Sequence, residues 1–274
     1  MFVLGIGEAG KNIASEVAQI SNLKAVCVDT DGCVPKKKTH EEYEACGPSV
    51  GKKLKLPRDK DVTVIVCGAG KVSGLTLSLL ETLKNKNITV IYIVPDPFML
   101  SKTQKLQHNL VFGVLQEFAR SGLLESMYIM SNKDIESFVG SASISNMYEK
   151  INSMVANFVV SLHWFKNADP VIGSMHEPKD ISRIRTVAIQ EVGSGESNEF
   201  CKLENITEIG LYYSASEKMI KSEENFLTNI RERVILYNKN EIDCSFGVWQ
   251  NESDTSFVYS IMHTHFIQQP EVNQ

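Results

Sequence analysis

The sequence predicts an α/β protein: a Rossmann-like N-terminal domain built on a parallel sheet, one long central helix, and a smaller C-terminal α+β domain. Three observations carry that expectation. Apolar, β-rich runs alternate with helix-period segments through the first 165 residues, the pattern of strand–helix–strand units. Two of those runs lead into glycine-rich turns that open a helix, Gly5-Ile6-Gly7-Glu8-Ala9-Gly10-Lys11-Asn12 and Gly68-Ala69-Gly70-Lys71-Val72-Ser73-Gly74. Beyond residue 167 the texture changes: Pro170, Gly173 and Pro178 mark a loop, and alternating strands follow.

Taken in order, Phe2–Ile6 reads as a strand, residues 11–20 as an amphipathic helix, and residues 23–28 as a strand ending at Asp29-Thr30-Asp31. Gly5, Gly7 and Gly10 fit G-x-G-x-x-G, with an acid at the next strand's end about 20 residues on. That order aims backbone N–H groups at an anion seated on a helix N-terminus. Residues 32–61 are polar and read as irregular, with a turn at 47–51. A buried strand at 62–67 enters the second glycine turn, and the helix behind it runs to about Lys86. A strand at 88–95, a helix at 101–120 stopped by Gly122, a strand at 126–130 and an apolar-striped helix at 145–165 complete this half. The second half reads as a loop at 167–178, a β-like run at 186–192, a strand at 206–213 and a helix at 223–234. Strands at 242–249 and 257–266, joined by a turn, close it. The expected division is 1–144, a nucleotide-binding domain; 145–166, the central helix; 179–268, the α+β domain; and 269–274, a short tail.

The chain has 274 residues, 43% of them hydrophobic and 22% charged, which suits a soluble globular protein with a sizeable core. A formal net charge of -5 provides no basic surface for nucleic acid, so Lys36-Lys37-Lys38 and the lysines of 52–60 read as solvated loop charges. Six scattered cysteines form no CxxC pair, and His163, His263 and His265 have no ligand spacing, so neither disulfides nor a side-chain metal site is expected. No apolar run reaches the roughly 18 residues of a membrane span, and the start lacks a basic leader. A cytoplasmic protein is expected.

The order of loops resembles the tubulin/FtsZ family of nucleotide-binding filament proteins, and the resemblance covers nearly the whole chain. The family's first loop, G-x-G-G-x-G-x-N, is met by Gly5, Gly7, Gly10 and Asn12, with Glu8 and Lys11 as departures. Asp29-Thr30-Asp31 matches its N-T-D. Its signature G-G-G-T-G-T-G is met by Gly68, Gly70, Gly74 and the hydroxyl of Ser73, with Lys71 and Val72 replacing a Thr and a Gly. Pro97-Phe98 matches the family's P-F, Lys105 stands where it carries a phosphate-side Arg, and 131–134 is a looser counterpart of P-N-D. Tyr148 and Asn152, four apart, match the aromatic that stacks on guanine and the amide that pairs with its edge. The strands around Phe246-Gly247 and 257–266 resemble the family's C-terminal domain.

The resemblance implies GTP or GDP with Mg²⁺ in a backbone cradle made by Gly5, Gly7, Glu8, Ala9, Gly10, Asn12, Asp29, Gly68, Ala69, Gly70, Lys71, Val72, Ser73 and Gly74, with Lys105, Tyr148 and Asn152. It implies a head-to-tail homopolymer in which acids of the neighbouring subunit complete hydrolysis. Counted from Asn152, those acids are Glu177 and Asp180, with Asp169 as an alternative for a shorter loop. The residues themselves leave choices open. Lys71 supplies charge to a phosphate or faces solvent. Val72, β-branched, resists positive φ, so the loop has changed shape if the family's turn requires it. Tyr148 stacks on a base or is a core ring, and Asp180 is catalytic or caps a following helix. Two rival functions follow: a family-fold structural or regulatory protein that no longer hydrolyses nucleotide, and a Rossmann NAD-dependent oxidoreductase. The short tail favours DNA or cargo positioning, of phage or plasmid type, over cell division.

Overall fold

The computed structural model describes residues 1–30, 34–37, 39–139, 144–194, 196–222 and 225–270. Strands β1 (Phe2–Ile6), β2 (Lys24–Val28), β3 (Asp61–Cys67), β4 (Asn87–Val94) and β5 (Ser126–Ser131) pair in parallel in the order β2-β1-β3-β4-β5. Between them run α1 (Gly7–Ile20), α2 (His40–Lys53), α3 (Thr76–Thr82) and α4 (Lys102–Arg120), and after them α5 (Asn132–Val139) and α6 (Ile144–Asn167). The alternation of each strand feeds two cores. Phe2, Leu4, Val64, Val66, Val90 and Tyr92 pack with Leu75, Leu79, Val111, Phe112 and Leu115 from the α3 and α4 side. Val3, Ile65, Ile91 and Ile93 pack with Ile13, Val17, Val155 and Val159 from α1 and α6 on the other. Strands buried on both faces read as continuous apolar runs, which is why they were visible in the sequence.

The second half adds β6 (Ile172–Ser174), β7 (Ile184–Glu191), β8 (Asn198–Glu199), β9 (Glu208–Ser216), β10 (Asp243–Asn251) and β11 (Phe257–Thr264), with α7 (Glu217–Ser222) and α8 (Phe226–Lys239). They continue the same sheet as β5-β7-β11-β9-β10-β6, with β8 on β7; the junction is parallel, Met127 opposite Ile184 and Tyr128 opposite Arg185. A third core, with Leu211, Val248, Phe226 and Ile230, lies beneath α8. Among the described residues no helix is long and apolar enough to cross a membrane.

Three expectations are corrected. Residues 40–53 form α2 rather than an irregular stretch. Its start is a capping box between Thr39 and Glu42, and Pro48 sits inside it. Gly47 and Gly51, which read as turn residues, instead let α2 lie close against α3: a Cβ on Gly47 would fall 2.8 Å from Ser78 Cβ, and one on Gly51 2.4 Å from Thr82 Cγ2. β10 and β11 are not a hairpin, because β9 lies between them, parallel to β10 and antiparallel to β11. The loop after α6 contains β6, paired with β10, and β7 follows Asp180 with no helix between.

Gly10 and Gly113 test the packing in opposite directions. A methyl at Gly10 would sit 2.4 Å from the Ile65 carbonyl oxygen, a backbone atom that cannot move aside, whereas nothing lies within 4 Å of one at Gly113 in α4. Gly10→Ala is expected to destabilise by about 1–3 kcal/mol and Gly113→Ala to stabilise by about 0.5–1 kcal/mol. Urea denaturation midpoints check both; equal shifts in the two variants would refute the packing account.

Candidate functional site

Because β1 to β5 are parallel, the loops that follow them gather at one end of the sheet. The first is the β1–α1 turn. A Cβ on Gly5 would lie 2.3 Å from the Gly10 carbonyl oxygen, so Gly5 and Gly10 are what allow the start of α1 to sit directly on β1 and β3. Gly7 has φ +72°, a left-handed conformation that a side chain would strain. No side chain caps this helix, and its first N–H groups, at Gly7, Glu8 and Ala9, have no carbonyl one turn back. The uncapped positive end of a 14-residue helix is thus presented to whatever lies beyond. Glu8 and Asn12 are exposed on that turn.

The second loop adjoins the first: a Cβ at Gly7 would reach Val72 Cβ at 4.0 Å. Residues Lys71–Leu75 wind as a 3₁₀ turn whose leading amides, at Lys71 and Val72, likewise have no carbonyl behind them. This settles the conformational question at Val72. Among the described residues only Asn205 and Glu241 have positive φ outside glycine, so Val72 is unstrained. Its side chain is buried in the core with Leu75 and Leu79, leaving its N–H to offer. Lys71 is exposed, with no ion pair among the described residues.

What the sequence reading missed is how this loop is held. The start of α4, itself set by a Ser101–Gln104 capping box, fastens it from behind. Gln107 Nε2 donates to Ser73 Oγ at 3.0 Å and Gly70 O at 3.5 Å, and Gln104 Nε2 donates to Ala69 O at 3.5 Å. Ser73 Oγ donates in turn to the Gly70 carbonyl, so its hydroxyl is committed within the loop. Below Gly68, Tyr92 Oη lies 2.8 Å from His108 Nδ1, and a Cβ on Gly68 would collide with both, at 2.2 and 2.5 Å. Burial pushes the His108 pKa down to about 4 and raises those of the Tyr92 hydroxyl and the Cys67 thiol beside it. The imidazole is then neutral, and the Tyr92 hydroxyl also reaches the His108 carbonyl at 3.4 Å. The i, i+3, i+4 spacing of Gln104, Gln107 and His108 was the available signal, since it sets all three toward one side of α4.

The remaining predicted residues border this end of the sheet or stand on the elements that frame it. Asp29, at the end of β2, accepts from Thr30 N at 2.8 Å and lies 3.9 Å from Lys11 Nζ, so the unexpected lysine of the first loop balances it. Asp31 falls outside the described residues. Beside Thr30 a hollow of about 570 Å³ opens between residues 34–36 and α2. Lys105 is half-buried in the first turn of α4. Tyr148 is 53% exposed near the start of α6, so it is not a core ring, and Asn152 is half-buried one turn on.

Glu177 and Asp180 lie elsewhere. They precede β7, whose start pairs with β5, at the sheet's opposite end. The 24-residue α6 puts about 28 Å of helix between Tyr148 and the start of that loop. Asp180 is 99% exposed; its carboxylate accepts from Arg183 Nη2 at 3.3 Å. Nothing in the described chain brings these acids to its own glycine loops. Among the described residues no group of three side chains could hold a metal ion.

No family model and no curated protein sequence matches the chain. Solved structures do. An FtsZ dimer from M. jannaschii, empty, superposes with TM-score 0.69 at 13% identity, covering 100% of this chain and 93% of that one. A GTPγS-bound protofilament of CetZ2 from Haloferax volcanii gives 0.72 at 13%, covering 95% and 92%. A GTPγS-form protofilament of TubZ from Bacillus thuringiensis serovar israelensis gives 0.73 at 12%, covering 96% and 87%. The chain has a divergent tubulin/FtsZ-like fold.

His108 gives the support of the second loop a pH signature. The unfolded chain protonates it near its ordinary 6.5, the folded chain only near 4, so stability falls as pH drops through that window and is fully present above it. The loss approaches about 3 kcal/mol, and His263, also depressed by burial, acts in the same direction. His108→Gln is expected to flatten the slope of unfolding free energy between pH 6.5 and 4, measured by urea titration; an unchanged slope would exclude His108 as its source.

Proposed function

We propose that the chain binds a guanine nucleotide on its two glycine loops and self-assembles head to tail, each copy supplying Glu177 and Asp180 to the nucleotide of its neighbour. The observation that carries this is the separation just described: the uncapped amides stand at one end of the sheet and the exposed acids at the other. A residue that must work on a phosphate but cannot reach its own does so only across a contact between copies.

The residues fit the ligand. The amides at the start of α1 and at Lys71 and Val72 are donors for phosphate oxygens, and Gly7, Gly68 and Gly70 keep side chains from standing between. Lys71 and Lys105 supply charge, and Tyr148 offers a face for a base with Asn152 one turn away as its edge partner. Mg²⁺, where bound, is held chiefly by phosphate oxygens, as that ion's preference for water and phosphate over dedicated protein cages supports. In hydrolysis the neighbour's Asp180, freed from Arg183, and Glu177 orient the attacking water; positioning and charge stabilisation are most of what phosphoryl transfer requires. The nearness of GTPγS-bound protofilaments in fold supports the same reading.

A second reading keeps the nucleotide and the assembly but not the hydrolysis. It is favoured by the Ser73 hydroxyl, which is committed to Gly70 and Gln107, and by the Asp180–Arg183 pair. Pelleting with GTP and Mg²⁺ and phosphate release distinguish the two. Asp180→Ala is expected to retain GTP-dependent pelleting while phosphate release falls about 100-fold, the loss of about 2.7 kcal/mol of transition-state stabilisation. Tyr148→Ala is expected to weaken GTP binding about tenfold, equivalent to one lost stacking contact. Pelleting without phosphate release in the unaltered protein selects the second reading, and monomers under every nucleotide condition refute both.

A further inference from the structure

The head-to-tail reading leaves open which surfaces meet. At the glycine-loop end, the segment after β4 forms an apolar tip. Asp96 Oδ1 accepts from Phe98 N at 2.9 Å and caps a short 3₁₀ turn, Pro97–Met99. That turn holds Phe98 and Met99 each 75% exposed, the largest exposures among the apolar side chains described. Lys102 and Lys105 follow at the start of α4, and Lys71 stands on the same end; none has an ion pair among the described residues.

The opposite end holds a cleft of about 630 Å³, opening between the first residues of β3, β4 and β5, the last turn of α6 and the loop before β7. Its apolar lining includes Phe165, Tyr212, Trp249, Pro170 and Met175. The rings are fixed to one another: Phe165 meets Trp249 edge-on at 4.9 Å, Tyr212 stacks on Trp249 at 5.4 Å, and Trp249 Nε1 donates to Ala168 O at 2.7 Å. Of the cleft's cations, Lys166 pairs with Asp61 and Glu125, and Arg185 lies over the Tyr128 ring with its buried Nε unpartnered and no ion pair among the described residues. That leaves four acidic side chains against one lysine and one arginine in the lining. Its acids Asp169 and Glu177 have no ion pair among the described residues. The cleft is therefore apolar inside with spare negative charge, and the tip is apolar with spare positive charge behind it.

Strand direction aligns the two. The C-terminal end of β4 leads into the tip, and Asn87 and Thr89 at the N-terminal end of the same strand line the cleft. Copies stacked by translation along the strands bring the tip of one over the cleft of the next. We propose that Phe98 and Met99 of one copy dock in this cleft of the following copy, with Lys102 facing its Asp169. The proposal rests on the self-assembly reading and adds the contact that gives the polymer its register.

Two measurements test it apart from that reading. Phe98→Asp is expected to leave GTP binding by the monomer unchanged and to raise the concentration needed for pelleting at least tenfold. Phe98→Cys combined with His176→Cys is expected to give a ladder of multimers with a short bis-maleimide under assembly conditions, while each single variant gives none. If the unaltered protein pellets but Phe98→Asp pellets equally well, or the double variant forms no ladder, this contact is wrong and self-assembly stands. Loss of GTP binding in Phe98→Asp also overturns it, because the effect would then lie in the monomer. If the unaltered protein never pellets, both ideas fall together.

Discussion

The close approach of α1 to the sheet is the constraint on which the rest depends. With no side chain at Gly5 or Gly10, the first turn of the helix presses onto the backbone of β1 and onto the Ile65 carbonyl of β3. Seating the helix this way fixes where its uncapped amides point and brings β1, β3 and the second loop into one assembly. Any Cβ there would meet backbone, which has nowhere to go. The two loops are accordingly coupled through β3: what seats α1 on Ile65 also sets the strand that runs into Gly68, two residues beyond Val66.

The second loop solves a different problem. It carries Lys71 and Val72 where the resembled loop has small and hydroxylated residues, and the valine is accommodated by turning into the core as the segment winds into a 3₁₀ turn. A loop so changed needs its carbonyls satisfied from elsewhere, and α4 does this through Gln104 and Gln107. With Gly70 and Ala69 carbonyls and the Ser73 hydroxyl bound from behind, the backbone groups left over at the front of the loop include the Lys71 and Val72 N–H donors, the kind of group that suits an anion. Two polar atoms here, Gln107 Oε1 and Thr76 Oγ1, are buried without a partner, a cost of about 1–3 kcal/mol each where no other group satisfies them.

Much of this was legible in the chain and some was not, for identifiable reasons. Strands buried on both faces announce themselves by composition, and glycines before a helix by spacing, so β1 to β5 and both loops could be read directly. The helix α2 was hidden because Gly47-Pro48 and Gly51 carry turn chemistry locally, while their actual office is close packing on α3, a tertiary demand that no window of sequence contains. The β10–β11 hairpin failed for a related reason: neighbours in sequence are usually neighbours in a sheet, but the parallel β9 wins the place beside β10. Tyr148 and Asn152 could be put on a helix by spacing, yet only the structure shows that this face is open rather than core, with Tyr148 53% exposed and Asn152 half-buried.

Parallel strands give a sheet two unlike ends, and that direction is what links this architecture to the head-to-tail assembly proposed above. All five N-terminal strands end where the glycine loops lie, and all begin where the acids and the aromatic cleft lie. The continuation through β5 and β7 ties the second half's sheet to the first in one hydrogen-bonded unit, and α6 spans the distance between the two ends as a rigid strut. Such a body has two unlike ends, each with groups left unsatisfied: open amides and lysines at one, unpaired carboxylates and an apolar hollow at the other. Ends that differ in this way cannot close on a two-fold axis, because an isologous contact would set like against like. On the self-assembly proposed above they would meet head to tail, a heterologous contact that gives a ring where its rotation closes and a filament where it does not.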